Sequence, residues 1–338
     1  MFIVTSYGLA VFLLFITMLC WGSWANTQKM KSPEWPFQHF YWDYVIGILI
    51  FSVIMAFTLG SSGDQGRSFV PDLRQADTSA LGSAFIGGIV FNLALANIIV
   101  VIAIEIAGMA VAFPVGIGLA LVLGVVINYL ASPDGNPVYL FVGVALVTVA
   151  IIVDAVAYNQ MPTEKARDAK WKGLLLAILG GIFMGMFYRF VAASMSLDFE
   201  NPAAGMLTPY TALVFFALGI FVSNFLWDTI IMYKPVTGSR ATYKEYFQKG
   251  TPGLHGIGIL GGLIWCIGML FSILPANKAS FAVSYGLGQG ATMIAAAWGV
   301  FIWKEFRGSP NKPRTNFLLT VMFISFIAGL GLIILAKL

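Results

Sequence analysis

The chain has 338 residues, of which 59% are hydrophobic and only 10% charged, with a mean hydropathy of +0.86 and a net charge of +4. A soluble domain carries roughly 25% charged residues to keep its exterior wet, so this composition excludes one. It points to a polytopic helical membrane protein, and the apolar runs lack the alternation of a membrane barrel.

Ten apolar segments, each near the roughly 20 residues a helix needs to cross hydrocarbon, are predicted at 5–26, 40–60, 80–103, 108–130, 138–158, 173–194, 206–232, 254–275, 279–303 and 316–336. The first is preceded by "MFIVTSY", without positive charge, and followed by Lys29 and Lys31. That is the reverse of a cleaved signal peptide, so the segment is read as a span. The hydrophilic stretch "MPTEKARDAKWK", residues 161–172, divides the spans five and five. It gives a first half over 1–160, a connecting loop over 161–172 and a second half over 173–338. An odd number of spans per half makes related halves inverted in the membrane. "AFPVGIGLALVLGVV" overlays "AVSYGLGQGATMIAA" with Gly116 and Gly118 on Gly286 and Gly288, and Gly8 falls on Gly173 in a second alignment. The fold class expected is all-α integral membrane, ten helices in two inverted five-helix repeats, a transporter signature.

Charge sets the orientation. Lys29, Lys31, Lys165, Arg167, Lys170, Lys172, Lys234, Arg240, Lys244, Lys249, Lys304, Arg307, Lys312 and Arg314 fall on one alternating set of connections. Arg67, Arg74, Lys278 and Lys337 fall on the other, and Arg189 lies inside a span. The positive-inside rule makes the first set cytoplasmic and puts both termini outside. The net charge belongs to these loops, and no nucleic-acid partner is expected. Cys20 and Cys266 lie in apolar runs as packing residues, and there is no CxxC, HExxH or phosphate loop. No cofactor or metal is expected.

Small residues spaced as GxxxG, at Gly181 and Gly185, Gly258 and Gly262, and Gly286 and Gly290, suit close helix packing. Polar groups inside spans are costly and draw attention to function. Tyr285, Gln289 and Thr292 share one helical face, while their aligned counterparts Val115, Leu119 and Val122 are apolar. This stripe either lines a cavity or bonds helices together. Arg189 needs water, a carboxylate or a solute oxygen. Asn92 and Asn97 in the third span and Trp265 in the eighth suit a small, flat or ring-shaped polar solute. Asp154, Asn224 and Asp228 are read as interface groups within reach of water, and Glu105 as a solvated turn residue.

The stretch "CWGSWANTQKMKSPEWPFQHFYWDYVIG", residues 20–47, concentrates aromatic and ionisable groups between two spans. Trp35 and Trp42 are expected in the interfacial belt. Trp21, Trp24 and Asn26 end the first span. Asp43 has His39 four residues before it on the same helical face, an arrangement that either relays a coupling proton or ties loop to helix.

"GSWANTQKMKSPEWPFQHFYWDYVIGILIFSVIMAFTLG" resembles the opening of the plant ureide permeases. The shared signature is Gly22, Trp24, Gln38, His39, Tyr41, Asp43, Tyr44, Ala56, Phe57, Thr58 and Gly60. Similarity continues through "GVVINYL", "PYTALVFFALG" and "GGLIWCIGM" to "WGVFIWKEFRGS", nearly the whole chain. "GGLIW" and "WKEF" are more distantly similar to the rhamnose–proton symporters and glucose/ribose porters. All are branches of the drug/metabolite transporter superfamily. The resemblance implies ten helices in two inverted halves and a secondary carrier, proton-coupled in the plant members, for allantoin, uracil and related oxo-heterocycles. The long central loop of the plant proteins is absent here, so the chain resembles a compact bacterial relative, expected in the inner membrane.

The function expected is import of a small polar solute of ureide or nucleobase type, with a proton as coupling ion, by a monomer in the bilayer; it is not an enzyme. A monosaccharide–proton symporter is the alternative, and metabolite or drug export a more remote one, since the acids lie toward span ends. Trp21, Trp24, Asn92, Arg189, Trp265, Tyr285, Gln289 and Thr292 are the expected solute contacts. His39, Tyr41 and Asp43 are the expected gate or proton-coupling group.

Overall fold

The computed structural model describes residues 1–32, 34–95, 109–161, 170–235 and 239–338. Among them the protein is built of helices and turns, with one isolated bridge between Met195 and Leu207. In chain order the helices are α1 (Tyr7–Ser23), α2 (Ala25–Met30), α3 (Phe37–Phe57), α4 (Phe69–Gln75), α5 (Thr78–Leu95), α6 (Met109–Ala131), α7 (Pro137–Tyr158) and α8 (Lys170–Ser194). They continue with α9 (Pro209–Tyr233), α10 (Tyr243–Lys249), α11 (Pro252–Ile273), α12 (Ala276–Ala279), α13 (Phe281–Gly288), α14 (Ala291–Ala297) and α15 (Lys312–Leu335).

Several starts follow from a polar cap next to proline, which has no amide hydrogen to leave unpaired in the first turn. Asn136 accepts from Val138 N at 2.9 Å before Pro137, and Thr251 accepts from Leu254 N at 3.3 Å before Pro252. Asn311 accepts from Arg314 N at 3.2 Å, with Pro313 in that turn. Thr242, Glu245 and Lys249 frame the short α10: Thr242 Oγ1 accepts from Glu245 N at 3.2 Å. Lys249 and the Thr242 hydroxyl hold the exposed Glu245 carboxyl below its usual range.

Seven helices among the described residues are long and apolar enough to cross a membrane, including α1 and α2 taken together, Tyr7–Met30. α5 and α6 contain shorter apolar stretches, Thr78–Leu93 and Val115–Ala131. The predicted ninth span is not one helix. α12 ends at Ala279 and is followed by Ser280, which has φ 70°, α13 ends at Gly288, and α14 gives way to a π-helical turn over Trp298–Ile302. Asn97, Glu105 and most of the 161–172 loop lie outside the described residues.

Packing runs through a defined set of neighbours. α3 packs on α9 and α11, α5 on α8 and α9, α6 on α7, α8 and α13, α7 on α15, and α1 on α11 and α14. Glycines make the closest crossings. A Cβ at Gly88 of α5 would overlap the Phe216 carbonyl oxygen of α9, and one at Gly219 the Phe85 carbonyl. At the α3–α11 crossing, a Cβ at Gly262 would overlap the Tyr44 carbonyl, and one at Gly47 that of Ile259. Gly143 and Gly329 stand so close that a Cβ on either would lie 2.7–2.8 Å from the other's carbonyl oxygen. The GxxxG pair at Gly258 and Gly262 is therefore a packing device.

One end of the bundle carries α10, the starts of α3 and α11 and the end of α9; the other carries α4 and the start of α9. At the second end Asp72 is fully buried and satisfied: Arg67 Nε donates to its Oδ1 at 2.7 Å, and Thr208 donates to its Oδ2 through N at 2.8 Å and Oγ1 at 2.9 Å.

Gly262→Ala is expected to cost about 1–3 kcal/mol, the usual range for forcing atoms into a packed interior, read as a lower Tm in detergent. Gly256→Ala on the same helix, where nothing stands within 4 Å, is expected to be neutral. Equal Tm values for the two variants would refute the close-crossing account.

Candidate functional site

The middle of the bundle is an aromatic stack tied to a small amide network. Trp265 of α11 lies 4.5 Å, centroid to centroid, from Phe91 of α5 and 6.0 Å from Phe216 of α9, nearly parallel to the latter. Trp21 stacks on Trp265 at 5.9 Å and donates from Nε1 to the Trp265 carbonyl at 3.2 Å. Room for the Trp21 indole is made by Gly268 and Gly288, whose Cβ atoms would come within 2.5 and 2.8 Å of its ring. Trp24 packs on Tyr44, ring centroids 4.7 Å apart.

Beside this stack Tyr41 donates to Asn92 Oδ1 at 2.8 Å. Asn92 Nδ2 donates to the Ile220 carbonyl at 3.1 Å and to Ser223 Oγ at 2.9 Å. One buried carboxamide thus joins α3, α5 and α9. Trp21, Tyr41, Asn92 and Trp265, chosen from different spans, belong to one region. Each is already engaged by the protein's own groups, so a solute binding here has to displace a ring or a hydrogen bond.

The polar stripe expected on the ninth span is not a stripe. The helix break at Gln289 and Gly290 interrupts the periodicity that placed Tyr285, Gln289 and Thr292 on one face. Tyr285 is fully buried and donates to the carbonyls of Met184 at 2.9 Å and Ala120 at 3.2 Å. Thr292 donates to the Gln289 carbonyl at 2.8 Å. Tyr285 still reaches the aromatic core through Phe187, 6.4 Å away, which is 5.0 Å from Phe91. Arg189 is half-buried on α8, with no carboxylate of the described residues within ion-pair distance.

At the α10 end the structure corrects the partner expected for Asp43. It is not His39. Asp43 Oδ1 accepts from His255 Nδ1 at 2.8 Å and from the Tyr246 hydroxyl. Burial and the adjoining carboxylate push the Tyr246 phenol well above its ordinary value, which keeps it a donor. The His39 ring points away, with Nε2 3.0 Å from the Thr242 carbonyl. Gly258 allows the contact, since a Cβ there would overlap that of Asp43. The signal for His255 was available: it is the chain's other histidine, at the start of a span.

Two more expectations are overturned. Trp35 and Trp42 are not belt residues: they are 2% and 5% exposed, Trp35 against His39, Tyr246 and His255, Trp42 against Phe225 and Tyr243. Asn224 and Asp228 are not wetted interface groups but are enclosed, at 0% and 1% exposure. At the same end Glu305 joins Lys29 at 3.0 Å and Tyr158 at 2.6 Å, a tie that sequence spacing could not show.

A family model described as ureide permease matches residues 40–172 and 164–336. Ureide permease 1 of Arabidopsis thaliana is 22% identical, the alignment covering 98% of each chain. Ureide permease 5 of the same plant is 23% identical over 98% of this chain and 95% of its own. Probable ureide permease A3 of Vigna unguiculata is 27% identical over 92% of this chain and 99% of its own. One solved crystal structure aligns with a TM-score of 0.56 over 96% of both chains at 13% identity, a likeness of fold alone. By class, then, this is a multi-pass membrane transport protein rather than an enzyme. The chain belongs to the ureide permease family.

Interhelical hydrogen bonds in membranes average about 0.6 kcal/mol, so Tyr41→Phe is expected to cost about that much. Asn92→Leu strands the Tyr41 hydroxyl and takes a donor from Ser223 Oγ and the Ile220 carbonyl, which still bond one another, and is expected to cost about 1–3 kcal/mol. Thermal unfolding of both single variants and the double variant measures the coupling; strict additivity would show that the pair does not interact.

Proposed function

We propose that the protein is a secondary active transporter that imports a small polar solute of ureide or nucleobase type across the bacterial inner membrane, driven by protons. The observation that carries the reading is an enclosed tryptophan and carboxamide, Trp265 and Asn92, at the meeting point of α3, α5, α9 and α11 in a chain of this family. A flat heterocycle with several carbonyl and N–H groups needs one stacking face and a donor–acceptor pair. Trp21, Trp24, Arg189, Tyr285, Gln289 and Thr292 complete the proposed path, with Gln289 set at a helix break. Irregular backbone at membrane depth is tolerated where it faces protein or a cavity, and transporters place it beside the solute.

Two observations support a pair of inverted halves. Exchanging α1 with α8, α3 with α9, α5 with α11, α6 with α13 and α14, and α7 with α15 maps the main helix pairings onto one another. The close glycine crossings follow the same exchange, Gly88 with Gly262 and Gly219 with Gly47. The missing stretches of the ten-span reading are α5, α6 and the broken ninth segment. By the charge bias the α10 end faces the cytoplasm. There Asp43, held by Tyr246 and His255, acts as a latch between α3, α10 and α11, and with His39 and Tyr41 forms the inner gate.

Proteoliposomes under an imposed proton gradient are expected to accumulate labelled allantoin or uracil and not rhamnose or ribose. Accumulation of the sugars alone would replace the substrate class, and uptake of none of the four would remove the reading. Asp43→Asn is expected to reduce gradient-driven accumulation at least about tenfold, a loss of about 1.4 kcal/mol in coupling. Gln289→Ala is expected to raise the half-saturating solute concentration instead. Normal accumulation by Asp43→Asn would reduce its contacts to a structural role.

A further inference from the structure

Asn224 and Asp228 sit four residues apart on α9 and therefore on one face. They are 0% and 1% exposed, yet both carboxylate oxygens of Asp228 and both polar atoms of Asn224 lack a hydrogen-bond partner among the described residues. Asp72 is engaged at both oxygens by Arg67 and Thr208. Asp43 is engaged at Oδ1 by Tyr246 and His255 while its Oδ2 lacks a partner, as does Asp154 Oδ1. Asp228 lacks partners at both oxygens among the described residues. An unpaired charge enclosed in a dry interior costs several kcal/mol, and native interiors pair nearly all such atoms. Four unpartnered polar atoms on one buried helix face are the densest such cluster among the described residues, and they call for a bonding partner.

We propose that Asn224 and Asp228 form the site that carries the coupling proton. This rests on the transporter reading above and names the group that reading lacked. The donor count selects a proton. An ionised Asp228 and a carboxamide offer two N–H donors and three oxygen acceptors, with no donor for the Asn224 carbonyl. Adding one proton to Asp228 neutralises the charge and creates that donor. The two side chains do not bond one another in the structure; with the proton in place, a turn of both lets the carboxyl O–H give its hydrogen to Asn224 Oδ1 and Asn224 Nδ2 give one to the remaining carboxyl oxygen. No other bond changes, and loss of the proton restores the carboxylate. The titratable groups facing Asp228 are phenols, Tyr41 from α3 and Tyr243 from α10; α5 contributes the Asn92 amide, already bonded to Tyr41 and Ser223. No lysine, arginine or histidine of the described residues forms an ion pair with Asp228.

The release route follows from the same geometry. Tyr243 hydrogen-bonds Thr229, the residue after Asp228, while Tyr246 of the same short helix donates to Asp43. α10 therefore covers both acids, and its displacement uncovers them together. A gate whose opening exposes the proton site couples release to the inward-open state.

The test is infrared titration of the full-length protein in lipid, without added solute, followed by uptake. Wild type is expected to show the carbonyl stretch of a protonated carboxyl at neutral pH. Asp228→Asn should lose it, Asp43→Asn should keep it, and Asn224→Ala should shift it because the hydrogen-bond partner is gone. If Asp228→Asn does not fold, Asp228→Glu must move the band. In proteoliposomes with labelled allantoin, Asp228→Asn is expected to lose at least about tenfold of its gradient-driven accumulation, and what remains should not respond to the gradient. An unchanged band in Asp228→Asn and Asp228→Glu, or a wild-type response to the gradient in Asp228→Asn, would overturn the assignment. A wild type that transports none of the probes would instead remove the transporter reading, and the infrared result would still decide whether Asp228 holds the proton.

Discussion

A polar atom inside a bundle surrounded by hydrocarbon has only other protein atoms to bond with, and the arrangement of this interior depends on that constraint. Asn92 meets it by joining Tyr41, Ser223 and the Ile220 carbonyl, which fixes the faces that α3, α5 and α9 turn inward. Tyr285 meets it through two carbonyls on neighbouring helices, and Asp72 through a buried ion pair with two further donors. It is left unmet at several buried atoms of the described residues, and most fully at Asn224 and Asp228, where all four side-chain polar atoms lack a partner.

Helices can reach these partners only if their backbones come close, and glycine supplies the approach. Without a hydrophobic drive between helices in lipid, contact area between small residues holds them together. The crossings at Gly88 with Gly219 and at Gly47 with Gly262 bring carbonyls to within reach of the opposing backbone. The indole of Trp21, seated between Gly268 and Gly288, shows how a large ring is accommodated where two such surfaces leave a gap.

Most of the helical framework is legible in the sequence, because apolar length and proline-marked starts are local properties. Asn136 with Pro137 and Thr251 with Pro252 begin helices where their chemistry says they should. Asn92 and Trp265 were legible as costly mid-span groups; that Trp21, at the end of the first span, stacks on Trp265 was not. The break at Gln289 was not, because an apolar run reads as continuous whether or not its hydrogen-bond ladder is. Nor was the burial of Trp35 and Trp42, which depends on α10 folding back across them. Asp43 shows the limit most plainly: the local spacing selects His39, and the fold supplies His255 from 212 residues away.

The central claim is that the region around Asn92 and Trp265 is a path that opens to each side in turn. Ser223, bonded to Asn92 and nearly buried, tests it directly. With Cys20 and Cys266 replaced by alanine, Ser223→Cys is labelled with a membrane-impermeant maleimide added to either face of oriented vesicles. The account predicts slow labelling from both faces, reduced by allantoin. A cysteine that reacts from neither face under any gradient or solute would mark this region as closed packing and contradict the account.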